Sequence, residues 1–169
     1  MSTVLVMTRA RARRLAAARA SGVGAIVIAL DQLTKHTIGT SIAPGTSRTV
    51  IPGVLHLVYE RNTGIAFSEL SGSGTLVYLP IAVALISVIA FLLARPDRPW
   101  LWLPAGMLVG GALGNLIDRV ASGSVIDFIK LPDWPAFNVA DSSITVGVVV
   151  LALLIEFGGR RQRADERDA

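Results

Sequence analysis

Asp127 and Asp141 stand fourteen positions apart, each beside an apolar stretch, in a chain that carries few charges. Their surroundings read Val125-Ile-Asp-Phe128 and Phe137-Asn-Val-Ala-Asp141. An ionisable group kept close to hydrocarbon costs free energy, which makes each acid a functional suspect. Two aspartates near enough to share a proton cannot both ionise readily, so one stays an acid while the other acts as base. Such a pair can draw a proton from a water attacking an amide carbonyl and supply one to the leaving nitrogen, with no metal required. Asn62, Asn115 and Asn138 are neutral donors that could hold the developing oxyanion without adding a competing charge.

Plainer roles compete with this chemistry. Asp127 could be ion-paired with Arg119 or Lys130. Asp141 could occupy position N3 of a helix capped by Asn138, where a carboxylate suits the positive end of the helix dipole. Asp118 adjoins Arg119, and a pairing between them would keep it ionised and structural. Asn115 and Arg119 share one helix face, while Gly110, Gly111 and Gly114 offer a surface that another helix can approach closely. Both acids at one membrane face, without metal ligands nearby, favour chemistry.

Those residues need elements to position them, and composition says where the elements lie. The chain has 169 residues, enough for one domain, of which 52% are hydrophobic and 17% charged. A mean hydropathy of +0.59 marks a membrane protein rather than an ordinary soluble domain. The net charge of +4 and pI near 10.3 do not indicate a nucleic-acid partner. The cations lie at both termini and in one short loop, not along a face interleaved with aromatic residues. Cysteine is absent, and the two histidines, His36 and His56, belong to no His-Glu-x-x-His pattern. A zinc peptidase therefore lacks its ligands, and no metal or cofactor is expected.

Four stretches approach the length of about 20 residues needed to cross hydrocarbon. They are Ala20 to about Ile38 (interrupted by Asp31 and Lys35), Thr75–Ala94, Leu101–Ile117, and Ser142–Ile155 with short extensions. With four spans, eleven of the sixteen Lys and Arg fall on one side, so both termini are expected in the cytoplasm. Asp31, Asp127 and Asp141 then approach the outer face. A cleaved signal peptide is the weaker reading of the first span, because its loss would put the Arg-rich tail on the wrong side. The expected fold is an all-α polytopic membrane protein. Residues 1–19 form a basic cytoplasmic arm, 20–158 the membrane domain and 159–169 a charged cytoplasmic tail.

Residues 39–74 are too polar to cross. Within them Thr49 to Tyr59 is β-branched and apolar, and Pro52-Gly53 predicts a hairpin turn outside the membrane. Ser122 to Asn138 is a second outer excursion, with Trp134 suited to the bilayer interface. No internal repeat is present, which counts against a carrier built from inverted halves.

Four blocks in order, Asp31-Gln-Leu-Thr-Lys35, Asn62-Thr-Gly-Ile-Ala-Phe67, Gly111 to Arg119 with Val125 to Phe128, and Phe137 to Asp141, resemble the motifs of lipoprotein signal peptidase, or signal peptidase II. Together they cover the outer ends of all four spans. The resemblance implies a four-helix aspartic peptidase of the bacterial inner membrane, with a small extracytoplasmic β-cradle between the first two helices. It implies cleavage of diacylglyceryl-modified prolipoproteins just before the lipidated cysteine, with Asp127 and Asp141 as the catalytic pair and no cofactor. Asp31, Lys35, Asn62, Gly111, Asn115, Arg119 and Asn138 match positions that line or support the site. The expected partners are those precursors and membrane lipid, with the enzyme a monomer. Ile65 departs from the family's usual alanine and bears on lid packing, not on the chemistry. The segment from Asn62 to Phe67, with Gly64 as hinge, is the expected lid.

Two other readings compete. Ser142 or Ser143 could act with Lys35 or Lys130 in a serine–lysine scheme. A proton-coupled carrier or assembly subunit would instead carry its acids near the bilayer middle.

Overall fold

Ala, Leu and Arg are strong helix formers, and the Arg/Ala-rich start of the chain runs unbroken into the first apolar span. The computed structural model describes residues 2–63, 78–95, 98 and 100–165. In it α1 (Ser2–Ser41) is one continuous helix, with no break at the expected boundary near Ala20. There follow β1 (Ser47–Ile51), β2 (Leu55–Asn62), α2 (Tyr78–Ala94), α3 (Trp102–Ser122), β3 (Val125–Lys130) and α4 (Val139–Asp165). The proposed lid residues Gly64, Ile65, Ala66 and Phe67, the start of the second span and the last four residues lie outside the described residues.

α3 is the central helix and packs against the other three. Its buried face is small over Ala105, Gly106, Gly110, Gly111 and Gly114, so neighbouring backbones come close there, and turns polar at Asn115 and Asp118. A Cβ built on Gly110 would lie 2.8 Å from Gly24 of α1, and one on Gly111 would lie 2.5 Å from the Ala140 carbonyl of α4. α3 runs past the expected end at Ile117 to Ser122, so Asp118 and Arg119 belong to its last turns. It stops at Gly123, whose φ of 73° is the left-handed cap that glycine adopts without a Cβ penalty. Segments of α1 (Ala10–Ser41) and α4 (Val139–Phe157) are long and apolar enough to cross a membrane.

The sheet corrects one expectation. It has three antiparallel strands in the order β1-β2-β3, so it is not confined to the loop between the first two long helices. The predicted hairpin forms with its turn at Pro52-Gly53, but β3 comes from the excursion between α3 and α4. Pairing with β2 satisfies the backbone groups of Val125–Lys130. Asp127 therefore sits on a strand within the outer excursion. Ile38 of α1 and Ile42 just beyond it pack with Phe128 of β3, supported by Leu57, Tyr59, Ile129 and Val139.

Candidate active site

Strand register puts the first groups in place. Glu60 of β2 faces Asp127 of β3, and Asn62, two residues on, is the diagonal neighbour on the same face. The Asn62 amide donates to Asp127 Oδ2 at 3.0 Å. After β3 the chain turns through Asp133, in the left-handed region at φ 53°, and returns so that Phe137 bridges to Ile129. That return carries Asn138 back beside Asp127, and its Nδ2 donates to Asp127 Oδ1 at 2.8 Å.

Asn138 also begins α4. Its Oδ1 accepts from the Asp141 N–H at 2.9 Å, while Asp141 Oδ2 accepts from the Asn138 N–H at 3.2 Å. This reciprocal cap is the one the sequence predicts, and it satisfies two main-chain donors at once. The cap engages only one oxygen of Asp141, so this plain role does not exclude a chemical one. The other oxygen, Asp141 Oδ1, accepts from Asn115 Nδ2 of α3 at 2.7 Å.

The two carboxylates thus converge on Asn138, and each of their four oxygens accepts an N–H from asparagine. This corrects two expectations. The Asn62, Asn115 and Asn138 amides donate to the carboxylates instead of standing free for an oxyanion. Asp127, 3% exposed, is held by neutral amides and not by the Arg119 or Lys130 pairing of its competing plain role. With neutral donors around it, burial pushes the Asp127 carboxyl up from 3.8 to about 6. The Asn62 hydrogen bond opposes that rise, the Asp141 charge adds to it, and Asn138 and Lys35 oppose it. A raised carboxyl binds its proton more tightly in the folded protein, so this group's contribution to stability is lost as pH rises from about 4 to about 6. Replacing Asn62 by alanine removes the largest opposing effect. The Asp127 carboxyl should therefore titrate at higher pH in Asn62→Ala, measurable by infrared titration of the purified protein across pH 4 to 8.

Behind the carboxylates lies a buried charged cluster. Lys35 Nζ is 2.7 Å from Asp31 Oδ2 and 2.6 Å from Asp118 Oδ2, and it donates to Asn115 Oδ1 at 3.0 Å. Asp31, fully buried, also accepts the Ala140 N–H at 2.9 Å and so ties α1 to the first turn of α4. Asp118 therefore pairs with Lys35, not with its neighbour Arg119 as the sequence suggested. That pair is a close charge contact off hydrogen-bond alignment, which leaves Asp118 Oδ2 without an aligned donor. Arg119 Nη1 reaches the Asn115 carbonyl at 3.4 Å, and its buried Nε has no partner among the described residues. Gly111 provides the close approach between α3 and α4. Sequence reasoning missed Gln32, whose amide donates to Asp118 Oδ1 at 2.9 Å. Only the passage of α3 beside α1 reveals it. Among the described residues, no three His, Asp or Glu side chains form a group suited to hold a metal.

A helix bundle with a small sheet at one end, where buried Asp127 and half-buried Asp141 meet on Asn138, has the form of an aspartic peptidase. The family model described as signal peptidase (SPase) II matches residues 23–157. Curated relatives include the lipoprotein signal peptidase of Moorella thermoacetica, 44% identical over 75% of this chain and 85% of that protein. The lipoprotein signal peptidase of Syntrophomonas wolfei is 38% identical over 85% and 95%. A bacterial membrane enzyme solved by the in meso method at 1.9 Å resolution superposes with a TM-score of 0.75 at 35% identity, covering 80% of this chain and 91% of that one. The chain belongs to the signal peptidase II family, an aspartic-family peptidase of the membrane that processes lipoproteins.

Proposed function

We propose that the protein cuts diacylglyceryl-modified prolipoproteins just before the lipidated cysteine, using Asp127 and Asp141 on one water. The observation that carries this reading is the convergence of both carboxylates on Asn138, with neutral donors on all four oxygens. Asp127, whose proton is retained to about pH 6, is the acid, and Asp141 is the base. Asp141 takes a proton from water as the oxygen adds to the scissile carbonyl carbon. Asp127 protonates the departing nitrogen as the C–N bond breaks. Arg119, half-buried in the last turns of α3 and bonded to the Asn115 carbonyl, supports the site. Asp31, Lys35, Gly111 and Asn115 support the base from behind.

All four helices cross the bilayer in this reading, both termini are cytoplasmic, and the enzyme acts as a monomer. Arg19 stacked on Trp102 and Arg95 stacked on Phe91 suit the cytoplasmic interface at the opposite end from the sheet. Trp134 and the hairpin residues Val50, Ile51 and Val54 are exposed apolar groups at the sheet end, as an outer-leaflet surface requires. A lipid-anchored substrate then arrives by lateral diffusion, with its acyl chains still in hydrocarbon.

The serine–lysine alternative has little support. The Ser142 hydroxyl donates to the Asn138 carbonyl at 2.8 Å and Ser143 to the Met107 carbonyl at 3.0 Å, while Lys35 is engaged by two carboxylates. Purified enzyme with Ser142→Ala and Ser143→Ala together should cleave a diacylglyceryl-modified precursor within about threefold of the parent rate, the cut mapped by mass spectrometry. Abolished cleavage in that folded variant would transfer the reaction to a serine.

A further inference from the structure

We infer that Asp118 is a positioning residue for the base of the pair, acting through Lys35 and Asn115, and that Gln32 holds Asp118 for that task. The inference rests on the Asp127–Asp141 reading and deepens it. A primary amide can present either its oxygen or its NH₂ to a neighbour, and only the NH₂ attracts a carboxylate. Asn115 presents Nδ2 to Asp141 Oδ1 at 2.7 Å. Its orientation is fixed from the other side, where Oδ1 accepts from Lys35 Nζ at 3.0 Å and from Asn138 Nδ2 at 3.1 Å. Lys35 is the charged donor of the two, so it has the stronger hold on the amide.

What keeps Lys35 Nζ on Asn115 is the pair of carboxylates that share it. Asp31 lies one turn back on the same helix and draws the ammonium along α1. Its Oδ1 is already committed to the Ala140 N–H. Asp118 lies on α3, three residues from Asn115 and on the same face, and draws the ammonium across to α3 at 2.6 Å. Gln32 Nε2 donates to the remaining oxygen, Asp118 Oδ1, at 2.9 Å, and more weakly reaches the Gly114 carbonyl and Asp31 Oδ2, each at 3.3 Å. The partners of Asp118 are thus Lys35 and Gln32, and its influence on the reaction passes through the direction of one amide. With Asp118 neutral, Asp31 alone holds Nζ, and Asn115 loses the constraint that aims its NH₂ at Asp141.

The test compares Asp118→Asn, Gln32→Leu and the double variant, as full-length enzyme in detergent with a diacylglyceryl-modified precursor, kcat and KM being expressed per folded molecule. Asp118→Asn should lower kcat about tenfold with KM within about twofold, because base alignment suffers and substrate binding does not. Gln32→Leu should lower kcat less, about threefold, and add little to Asp118→Asn, since both act through the hold on Lys35 and the Asp118 bond is the shorter one. Unchanged kcat per folded Asp118→Asn molecule, a rise in KM alone, or losses that multiply in the double variant would overturn the inference. Where Asp118→Asn fails to fold, Gln32→Leu decides alone: parental kcat overturns the inference and a fall at constant KM supports it. Asp127→Asn and Asp141→Asn run in parallel, and retained turnover in those would instead overturn the reading of the pair itself.

Discussion

Asparagine at either position 127 or position 141 is expected to lower kcat for precursor cleavage by about 10³-fold while the protein stays folded. Asparagine keeps the shape and removes the ability to exchange a proton, so the loss reports chemistry. The two variants should differ in stability, because the two acids do different structural work. Asp141 accepts two N–H donors and places a charge at the start of α4. An amide there has one oxygen for two donors and no charge, so Asp141→Asn should cost about 1 kcal/mol. Asp127 is a buried carboxylate held by neutral groups, and above pH 6 its ionisation opposes folding. Asp127→Asn should therefore be at its most stable relative to the parent above pH 6. As pH falls from about 6 toward 4 the parent should gain on it, because only the parent binds the extra proton. Thermal unfolding of both proteins at the two ends of that range measures the effect, and a gap independent of pH would contradict the raised carboxyl.

Gly111→Ala should be nearly as damaging, although glycine carries no chemistry. The added Cβ would lie 2.5 Å from the Ala140 carbonyl oxygen and 2.8 Å from Ile144 Cγ1. The nearer atom is backbone, so no rotamer change relieves it, and the first turn of α4 must shift. That turn carries Asn138 and Asp141. Overpacking of this kind costs about 1–3 kcal/mol, partly offset by about 1 kcal/mol of gained helix propensity. A shift approaching an ångström in the base should lower kcat by about 10²-fold. Gly22 is the control: a Cβ there meets nothing within 4 Å, so Gly22→Ala should keep full activity. Equal activity in both variants would show that the α3–α4 approach does not set the geometry of Asp141.

Much of this site was legible because it is local. Asn138 and Asp141 lie three apart, and a cap at that spacing follows from the main-chain donors at a helix start. Pro52-Gly53 marked the hairpin, and the runs free of charge marked the long helices. β3 was not legible as a strand, because its partner β2 lies more than sixty residues earlier and register over that distance has no local signal. Asp127 consequently read only as an acid beside an apolar stretch. The pairing of Asp118 with Lys35 was equally hidden. In a chain whose buried and lipid-facing surfaces are both apolar, helix patterning does not say which faces meet. Adjacency favoured Arg119, while packing of α1 on α3 brought Lys35 to 2.6 Å. The asparagines were found as site residues but given to the oxyanion, since sequence cannot show that the carboxylates claim their amides first.

The most direct test of a shared pair is the pH dependence of kcat/KM for a diacylglyceryl-modified precursor, measured with excess chelator present. The expected profile is bell-shaped, with an alkaline limb near pH 6 set by Asp127 and rates unaffected by the chelator. Activity that keeps climbing through pH 8, or that disappears with chelator and returns with a divalent cation, would contradict two aspartates working on one water.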